Sequence, residues 1–334
     1  MHSQTENIDF VLTWVDGSDP AWRASFDNYA LSDHATDIRK SRYREWENLR
    51  FWFRAVEKYA PWVHKIHFVT WGHVPTWLNP KHPKLNIVKH DEYLDRHNVP
   101  VFNSHPIEIN LHRIKDLSDQ FVYFNDDTFL LAPIKPTRFF MDGLPRDIAV
   151  GNVISIGGIE NTLVNDVRII NRHFSKRDTI RQNFFKWFNP RYGLHNMKTI
   201  CLMPWKQFTG FFDPHQAQPY LKTTFEEVWK LESETLQLTS ASKFRSVTDV
   251  NQYLFRYWQL VTGKFIPVSI QDTKYIDLRI LEDCKRAKEY IDSGRFHQVC
   301  FNDKLEASDD FEDAKSIINA AFARRLPDKS SFEL

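Results

Sequence analysis

Short apolar runs separated by polar turns are the main pattern in the first half of the chain. Residues 8–14, 65–70, 85–89 and 121–124 are rich in β-branched and aromatic side chains, which suit a strand that is packed on both faces. Segments with helical spacing lie between some of these runs. This order predicts an α/β fold, with a Rossmann-like, mostly parallel sheet flanked by helices and built by right-handed crossovers.

Apolar residues recur at intervals of three and four within residues 44–59, which predicts an amphipathic helix. Similar spacing predicts helices at residues 104–114, 224–236 and 252–262, the last of which is rich in aromatic side chains. Residues 277–323 are expected to be mostly helical.

Polar residues stop the fourth apolar run abruptly. Asn125, Asp126 and Asp127 follow it directly, and a second apolar run begins at Phe129. Adjacent carboxylates beside apolar segments are costly unless a cation or a hydrogen-bond donor compensates them. The carboxyl ends of parallel strands are also where α/β proteins bind ligands. A metal or phosphate site is therefore one interpretation, and an Asn-Asp turn that caps the next element is the other.

A second acidic turn follows the first apolar run. Asp16, Gly17 and Asp19 lie in it, and Gly17 would allow a ligand to approach the backbone closely or a positive φ. Asp16 suits a site role and a turn role equally, whereas Asp19 suits a plain turn role better.

Composition narrows the class of protein. Lys plus Arg (44) nearly equals Asp plus Glu (43), which removes the broad electrostatic case for nucleic acid or an anionic membrane as a partner and leaves only a local basic site. Cys201, Cys284 and Cys300 have no metal-ligand spacing, so free thiols in a reducing compartment are expected. With no signal segment and no membrane span in the sequence, a cytoplasmic protein is predicted, and peripheral contact with a membrane stays open.

Basic residues cluster before and at the start of the first predicted helix. Arg42, Arg44 and Arg50 could hold phosphates there, or could form a solvated basic face. Glu108 and His112 are neighbours on a later helix, but a zinc site would want a second histidine at that spacing.

Four blocks, in this order, resemble the four regions of the Stealth family: I-D-F-V-L-T-W-V-D-G-S-D-P, R-Y-R-E-W-E-N-L-R-F-W-F-R-A-V-E-K-Y-A-P-W-V, F-N-S-H-P-I-E-I-N-L-H-R-I through F-V-Y-F-N-D-D, and R-S-V-T-D-V-N. That family contains bacterial capsular and exopolysaccharide sugar-phosphate transferases and the catalytic subunit of the animal lysosomal-enzyme GlcNAc-1-phosphotransferase. The resemblance covers most of residues 8–131 and 210–262. This chain has Asn48 where the family commonly has glutamate, while Arg50 is retained.

The resemblance implies an enzyme that transfers a sugar 1-phosphate from a nucleotide sugar, such as a UDP-sugar, to a hydroxyl of a glycan or lipid-linked oligosaccharide acceptor. UMP would be released, with help from Mg²⁺ or Mn²⁺. By motif position, the catalytic residues implied are Glu108, Asp127, His215 and Arg245. Asp127 with Asp126 would hold the metal. The residues expected to bind substrate are Asp16, Gly17, Arg42, Arg44, Arg50, Arg113 and Asn125.

The sequence also suggests a division of the chain, although the resemblance itself does not cover the middle or the C-terminal part. Residues 1–135 would form the Rossmann-like part that binds the nucleotide sugar, and residues 136–209 an insertion facing the acceptor. Residues 210–270 would complete the catalytic domain, and residues 271–334 would form a helical C-terminal region.

Three questions stay open at this stage. Either His215 or Glu108 could take the proton of the acceptor hydroxyl. A nucleotide-sugar glycosyltransferase would have a similar fold and acidic motif but would release UDP. A non-catalytic carbohydrate-binding protein would also suit a chain with 11 tryptophans.

Overall fold

The apolar runs form the central strands. The computed structural model of the protein describes residues 7–32, 43–155, 160–306 and 308–334. The strands are β1 (Ile8–Thr13), β2 (Ile66–Thr70), β3 (Leu85–Lys89), β4 (Gln120–Phe124), β5 (Thr128–Leu130), β6 (Phe140–Met141), β7 (Leu144–Asp147), β8 (Gln218–Leu221), β9 (Ile266–Pro267), β10 (Thr273–Leu278) and β11 (Gln298–Asp303). The α-helices are α1 (Pro20–Ser32), α2 (Leu49–Tyr59), α3 (His90–Tyr93), α4 (Ser104–Ile109), α5 (Glu160–His173), α6 (Lys176–Gln182), α7 (Phe184–Trp187), α8 (Asn196–Leu202), α9 (Lys222–Leu231), α10 (Ser233–Ser240), α11 (Tyr253–Val261), α12 (Leu281–Ser293) and α13 (Ser308–Arg325).

The central sheet has the strand order β3-β2-β1-β4-β8. The first four strands are parallel, and β8 is antiparallel to β4. Because side chains alternate along a strand, Phe10 and Leu12 enter the core beside α2, whereas Val11 enters the core beside α4 and α11. Helices therefore cover both faces, which explains the unbroken apolar runs. The predicted α/β, Rossmann-like and mostly parallel sheet is confirmed.

A second sheet leads away from the Asn-Asp-Asp turn. Its order is β10-β11-β5, with β11 antiparallel to β5, and Cys300 lies opposite Thr128. Helices α12 and α13 confirm that residues 277–323 are mostly helical, but β11 is a strand within that range. Its buried apolar run is too short for periodicity to distinguish helix from strand, and the pairing with β5 comes from a distant part of the chain.

Three other helix predictions need correction. Helix α2 begins at Leu49 and not at residue 44, because Glu47 has a φ of 55° that a right-handed helix does not allow. The helix predicted over residues 224–236 is divided at Glu232, whose buried carboxylate accepts hydrogen bonds from Arg172. The helix predicted over residues 104–114 is shorter than expected, because α4 ends at Ile109 and a short 3₁₀ helix follows at Leu111–Arg113.

Residues 136–209 share a hydrophobic core with residues 210–270. Helix α5 packs beside α11, β7 pairs with β9, and Gly151 forms an isolated bridge with Phe211. The division of the chain into four parts stays a prediction. Among the described helices, none combines the length and the apolar character that crossing a bilayer requires.

Candidate active site

The carboxyl ends of β1 and β4 lie side by side, because Leu12 pairs with Phe124 in the parallel register. The Asn-Asp-Asp turn therefore lies beside the turn that holds Asp16. The hydroxyl of Tyr123 is 3.0 Å from Thr13 Oγ1 and donates to Asn125 Oδ1 at 2.8 Å. These bonds fix Asn125 at the edge of the sheet, and its role in substrate binding stays a prediction.

The turn after β1 is held mainly by its own polar groups. Asp16 Oδ1 accepts from the backbone N–H of Ser18 at 2.8 Å and from its hydroxyl at 2.6 Å. The backbone N–H of Asp16 donates to His73 Nε2 at 2.8 Å. Asp19 Oδ1 accepts from the N–H of Trp22 at 2.8 Å, which caps α1. The turn role predicted for Asp19 is confirmed.

Gly17 allows a close approach, but the neighbour is another part of the chain. A Cβ atom at Gly17 would lie 2.3 Å from the carbonyl oxygen of Tyr43. Gly17→Ala is therefore expected to lower the free energy of unfolding by about 1–3 kcal/mol, measured by urea denaturation. The matched control is Gly151→Ala, because the nearest atom to a Cβ there is 3.5 Å away. Equal losses in the two variants would contradict the steric account.

Carboxylates converge at this edge of the sheet. Trp14 Nε1 donates to Glu45 Oε2 at 2.8 Å, and burial together with Asp16 raises the pKa of Glu45. The Asp126 side chain is exposed at the surface, and the protein around it removes part of the water that would otherwise hydrate its carboxylate. That desolvation, with the charges of Asp127 and Glu45, raises the pKa of Asp126. A bound cation would relieve this repulsion.

Asp127, His215 and Cys300 bring three kinds of donor atom together. Their carboxylate oxygen, imidazole nitrogen and sulfur lie within 4.8 Å of one another, and His215 Nε2 is 3.9 Å from Asp127 Oδ2. Burial and the Asp127 carboxylate raise the pKa of the Cys300 thiol. The donor set fits a divalent cation, with the oxygens of Asp126 and Asp127 suiting Mg²⁺ or Mn²⁺.

His215 is held in a constrained conformation. Its φ is 50°, in the left-handed region that is uncommon for residues other than glycine. Its Nδ1 atom lies 3.1 Å from the Tyr253 hydroxyl, and the ring meets Tyr275 edge-on with centroids 5.4 Å apart. These contacts leave the side chain 35% exposed, so that a ligand can reach it.

A buried arginine anchors the loop that carries His215. Arg256 is fully buried and binds Asp147 with two hydrogen bonds, of 2.8 and 2.9 Å. Its third guanidinium nitrogen donates to Asp213 Oδ1 at 2.7 Å, and Tyr257 donates to Asp213 Oδ2 at 2.6 Å. Asp213 is two residues before His215, so these bonds position the histidine.

Glu108 lies deeper, at 7% exposure. Its Oε2 atom accepts from the backbone N–H of Gln252 at 3.5 Å. Burial raises the pKa values of Tyr123 and Tyr253 well above the ordinary value, and the charge of Glu108 adds to both shifts. The Tyr253 hydroxyl is also within hydrogen-bond distance of His215, so Tyr253 interacts with both predicted catalytic residues, Glu108 and His215.

Two distant sequence blocks meet behind the site. Asp249 Oδ2 accepts from Asn103 Nδ2 at 2.8 Å and from the N–H of Ser246 at 2.9 Å, and lies 3.0 Å from His105 Nδ1. Burial alone would raise the pKa of Asp249, but these bonds lower it. They hold the segment with Arg245 against the segment with Glu108. In the described part of the chain, the half-buried Arg245 guanidinium has no ion pair.

The other predicted arginines differ in their surroundings. Arg42 lies outside the described residues. Arg44 donates to Asp303 at 2.9 Å and to the carbonyl of Leu305 at 2.7 Å, so structural contacts already engage it. Arg50 and Arg113 lie over tryptophan rings. The guanidinium carbon is 5.7 Å from the Trp77 ring centroid for Arg50 and 4.2 Å from the Trp229 ring centroid for Arg113. Phosphate binding by these residues stays a prediction.

A cavity of about 520 Å³ lies along α5, away from the acidic cluster. Arg168, Asn171, Arg172 and Gln207 contribute polar side chains to its lining. Neither Asp127 nor His215 lines it, so the cavity is separate from the candidate cation site.

Sequence reasoning missed four side chains of the site: Glu45, Asp213, Tyr253 and Cys300. The Asp-Pro-His spacing could have drawn attention to Asp213. Cys300 had no signal in the sequence, because only the pairing of β11 with β5 brings it to Asp127.

The sheet and the acidic cluster define an α/β protein whose carboxylates gather at the carboxyl edge of its parallel strands, where proteins of this class bind ligands. A profile described as Stealth protein CR1, conserved region 1, matches residues 6–32, and one described as Stealth protein CR2, conserved region 2, matches residues 42–147. The chain is 42% identical to capsular polysaccharide phosphotransferase WcwK of Streptococcus pneumoniae over 98% of both chains. It is 39% identical to receptor polysaccharide phosphotransferase WefC of Streptococcus oralis, over 98% of this chain and 99% of that one.

The chain belongs to the Stealth family, and it is an enzyme of the phosphotransferase class. The non-catalytic carbohydrate-binding alternative is thereby set aside. Among solved structures, mouse xyloside xylosyltransferase 1 is similar at 12% identity over 88% of this chain and 97% of that chain, with a TM-score of 0.33. So distant a likeness adds nothing to the strand order given above.

Proposed function

We propose that the protein transfers a sugar 1-phosphate from a UDP-sugar to a hydroxyl of a glycan or lipid-linked oligosaccharide acceptor. The transfer forms a phosphodiester link of a capsular polysaccharide or exopolysaccharide and releases UMP. The observation that carries the proposal is the 42% identity, over nearly the whole chain, to a relative named as a capsular polysaccharide phosphotransferase. The cluster of Asp127, His215 and neighbouring carboxylates supports it.

Charge stabilisation is the main requirement of this reaction, because negative charge builds on the transferring phosphoryl oxygens and on the departing nucleotide. Asp127, with Asp126, would hold Mg²⁺ or Mn²⁺, which would supply positive charge against the phosphoryl oxygens. Arg245 would supply positive charge to the departing nucleotide, and no described carboxylate competes for its guanidinium.

Proton transfer falls to His215 in this proposal. The acceptor oxygen attacks the phosphorus that carries the sugar, and the bond from that phosphorus to the bridging oxygen breaks. UMP leaves with the bonding electrons, and His215 Nε2 takes the acceptor's proton. Its exposed ring, oriented by Tyr253 and Tyr275, suits this role. Glu108 is almost fully buried and acts as a positioning residue beside Tyr253.

The released nucleotide tests the reaction class. A panel of nucleotide sugars would be incubated with an acceptor glycan, and the products would be identified by mass spectrometry and phosphorus NMR. UMP together with a new phosphodiester resonance is expected. UDP as the sole nucleotide product would instead assign the chain to the nucleotide-sugar glycosyltransferases.

The enzyme would act in the cytoplasm, at the inner face of the membrane, where it would reach a lipid-linked acceptor. All three cysteines are free thiols, two of them buried, which suits a reducing compartment.

Thiophilic cations provide a test of the metal assignment. EDTA is expected to suppress activity, and Mg²⁺ or Mn²⁺ to restore it. Cd²⁺ is expected to inhibit, because sulfur and nitrogen donors of Cys300 and His215 attract a soft cation to Asp127. Cys300→Ser should keep the Mg²⁺-dependent activity and be about 10- to 100-fold less sensitive to Cd²⁺.

Cys201→Ser is the matched control, because that thiol is exposed elsewhere on the protein. It should be as sensitive to Cd²⁺ as the unchanged enzyme. Full activity in EDTA would contradict the cation site, and unchanged Cd²⁺ sensitivity in Cys300→Ser would contradict the place given to Cys300.

A further inference from the structure

One segment of the chain exposes an unusual number of large apolar side chains. These side chains, named here the 184–205 surface, are Phe184, Phe185, Leu194, Met197, Ile200, Met203 and Trp205. Phe185 is 82% exposed and Leu194 is 88% exposed. Exposed apolar residues grouped in this way mark an interaction site more often than a plain solvent-facing surface.

The fold presents this surface outward by anchoring the same segment from behind. Trp187, Tyr192 and Thr199 are buried, and they alternate with the exposed residues. On α8 and its C-cap, Met197, Ile200 and Met203 follow at intervals of three and therefore lie on one face of the helix. The surface is thus built into ordered helices.

Charge indicates what covers the surface. Residues 179–212 contain no aspartate or glutamate. The basic residues of the same stretch are Arg181, Lys186, Arg191, Lys198 and Lys206. Arg181 pairs with Asp178 at 3.1 Å and Lys186 donates to the carbonyl of Gly263, which leaves Arg191, Lys198 and Lys206 as the charges without such a partner among the described residues. A second copy of the chain, docking through the same surface, would bring these like charges together. Anionic lipid headgroups would pair with them, while phenylalanine, leucine and tryptophan side chains enter the interface.

We infer that the 184–205 surface binds the enzyme to an anionic lipid bilayer. This inference rests on the proposed function, because the bilayer would hold a lipid-linked acceptor. The segment that carries the 184–205 surface contacts Phe212, which lies near the proposed base in the sequence. The ring centroids of Phe212 and His195 are 4.7 Å apart, and Lys198 Nζ lies 4.7 Å from the Phe212 ring centroid. Phe212 is followed by Asp213 and then by His215, so a bilayer at this surface lies beside the loop that carries the proposed base.

Cys201 offers a direct probe of lipid contact. It lies on α8 and is exposed, whereas Cys284 and Cys300 are buried. The full chain would be labelled at Cys201 with a polarity-sensitive fluorophore and titrated with phosphatidylcholine vesicles, with or without phosphatidylglycerol. A blue shift is expected with phosphatidylglycerol, weakening as salt is added. The absence of any shift would overturn the inference.

Vesicle cosedimentation of variants tests the residues themselves. Phe185→Ser combined with Leu194→Ser is expected to weaken vesicle binding by about tenfold or more. The matched control is Leu231→Ser combined with Leu238→Ser, since these side chains are 51% and 68% exposed on α9 and α10. The control should bind as the unchanged protein does, and equal binding by both double variants would overturn the inference.

Self-association is the rival outcome. Sedimentation equilibrium without lipid should give the same mass for the unchanged protein and for the Phe185 and Leu194 double variant. A dimer that this double variant abolishes would assign the surface to a second copy of the chain. Vesicle binding needs no nucleotide sugar, and UMP release with a water-soluble acceptor needs no vesicles. Failure of the inference and failure of the proposed function are therefore separable.

Discussion

Asp127→Asn is expected to lower the rate of UMP release by about 10²- to 10³-fold, as loss of a group that stabilises transition-state charge does. The neutral amide keeps the shape of the side chain but removes the charge that faces His215 and the proposed cation. The rate would be measured at saturating donor and metal, and circular dichroism would verify the fold.

Two other variants serve as comparisons for Asp127→Asn. Asp142→Asn changes an exposed acid in the turn after β6, at a φ of 52° that asparagine tolerates, and it should retain full activity. Asp126→Asn should lose less than Asp127→Asn, because the Asp126 side chain is more exposed and lies outside the group of donor atoms formed by Asp127, His215 and Cys300. An Asp127→Asn enzyme with an unchanged rate would remove Asp127 from the site.

Arg256→Met is expected to lower the free energy of unfolding by about 3–5 kcal/mol, the usual cost of leaving buried charges without their partner. The variant would leave the Asp147 carboxylate without its cationic partner and would remove the hydrogen bond from Arg256 to Asp213. Because Asp213 anchors the loop of His215, activity should fall as well. Urea denaturation followed by intrinsic fluorescence measures the stability.

Arg279→Met provides the comparison for an exposed ion pair. Arg279 pairs with Asp277 at 2.7 Å, but its side chain is 66% exposed, so a loss of about 0–1 kcal/mol is expected. Similar losses for Arg256→Met and Arg279→Met would contradict the structural role of the buried pair.

Local patterns were enough to predict much of the fold. The strands β1 to β4 are short apolar runs that end at polar turns, and both signals are local in the sequence. The place of Asp127 after β4 follows from the same pattern. The resemblance to the Stealth family then connected Asp127 with His215, and the structure brings these two residues together.

Contacts between distant segments could not be predicted in the same way. Cys300 reaches Asp127 only through the pairing of β11 with β5. The bond from Arg256 to Asp213 depends on how α11 packs against the loop of His215. The start of α2 at Leu49 depends on the backbone conformation of Glu47, which helical periodicity does not reveal.

The fate of the donor's β-phosphate tests the central claim most directly. A UDP-sugar labelled with ³²P at the phosphate attached to the sugar would be incubated with the enzyme, Mg²⁺ and an acceptor glycan. The account predicts that the label enters the glycan product and that the released UMP is unlabelled. Label that remains in released UDP, with none in the glycan, would contradict the account.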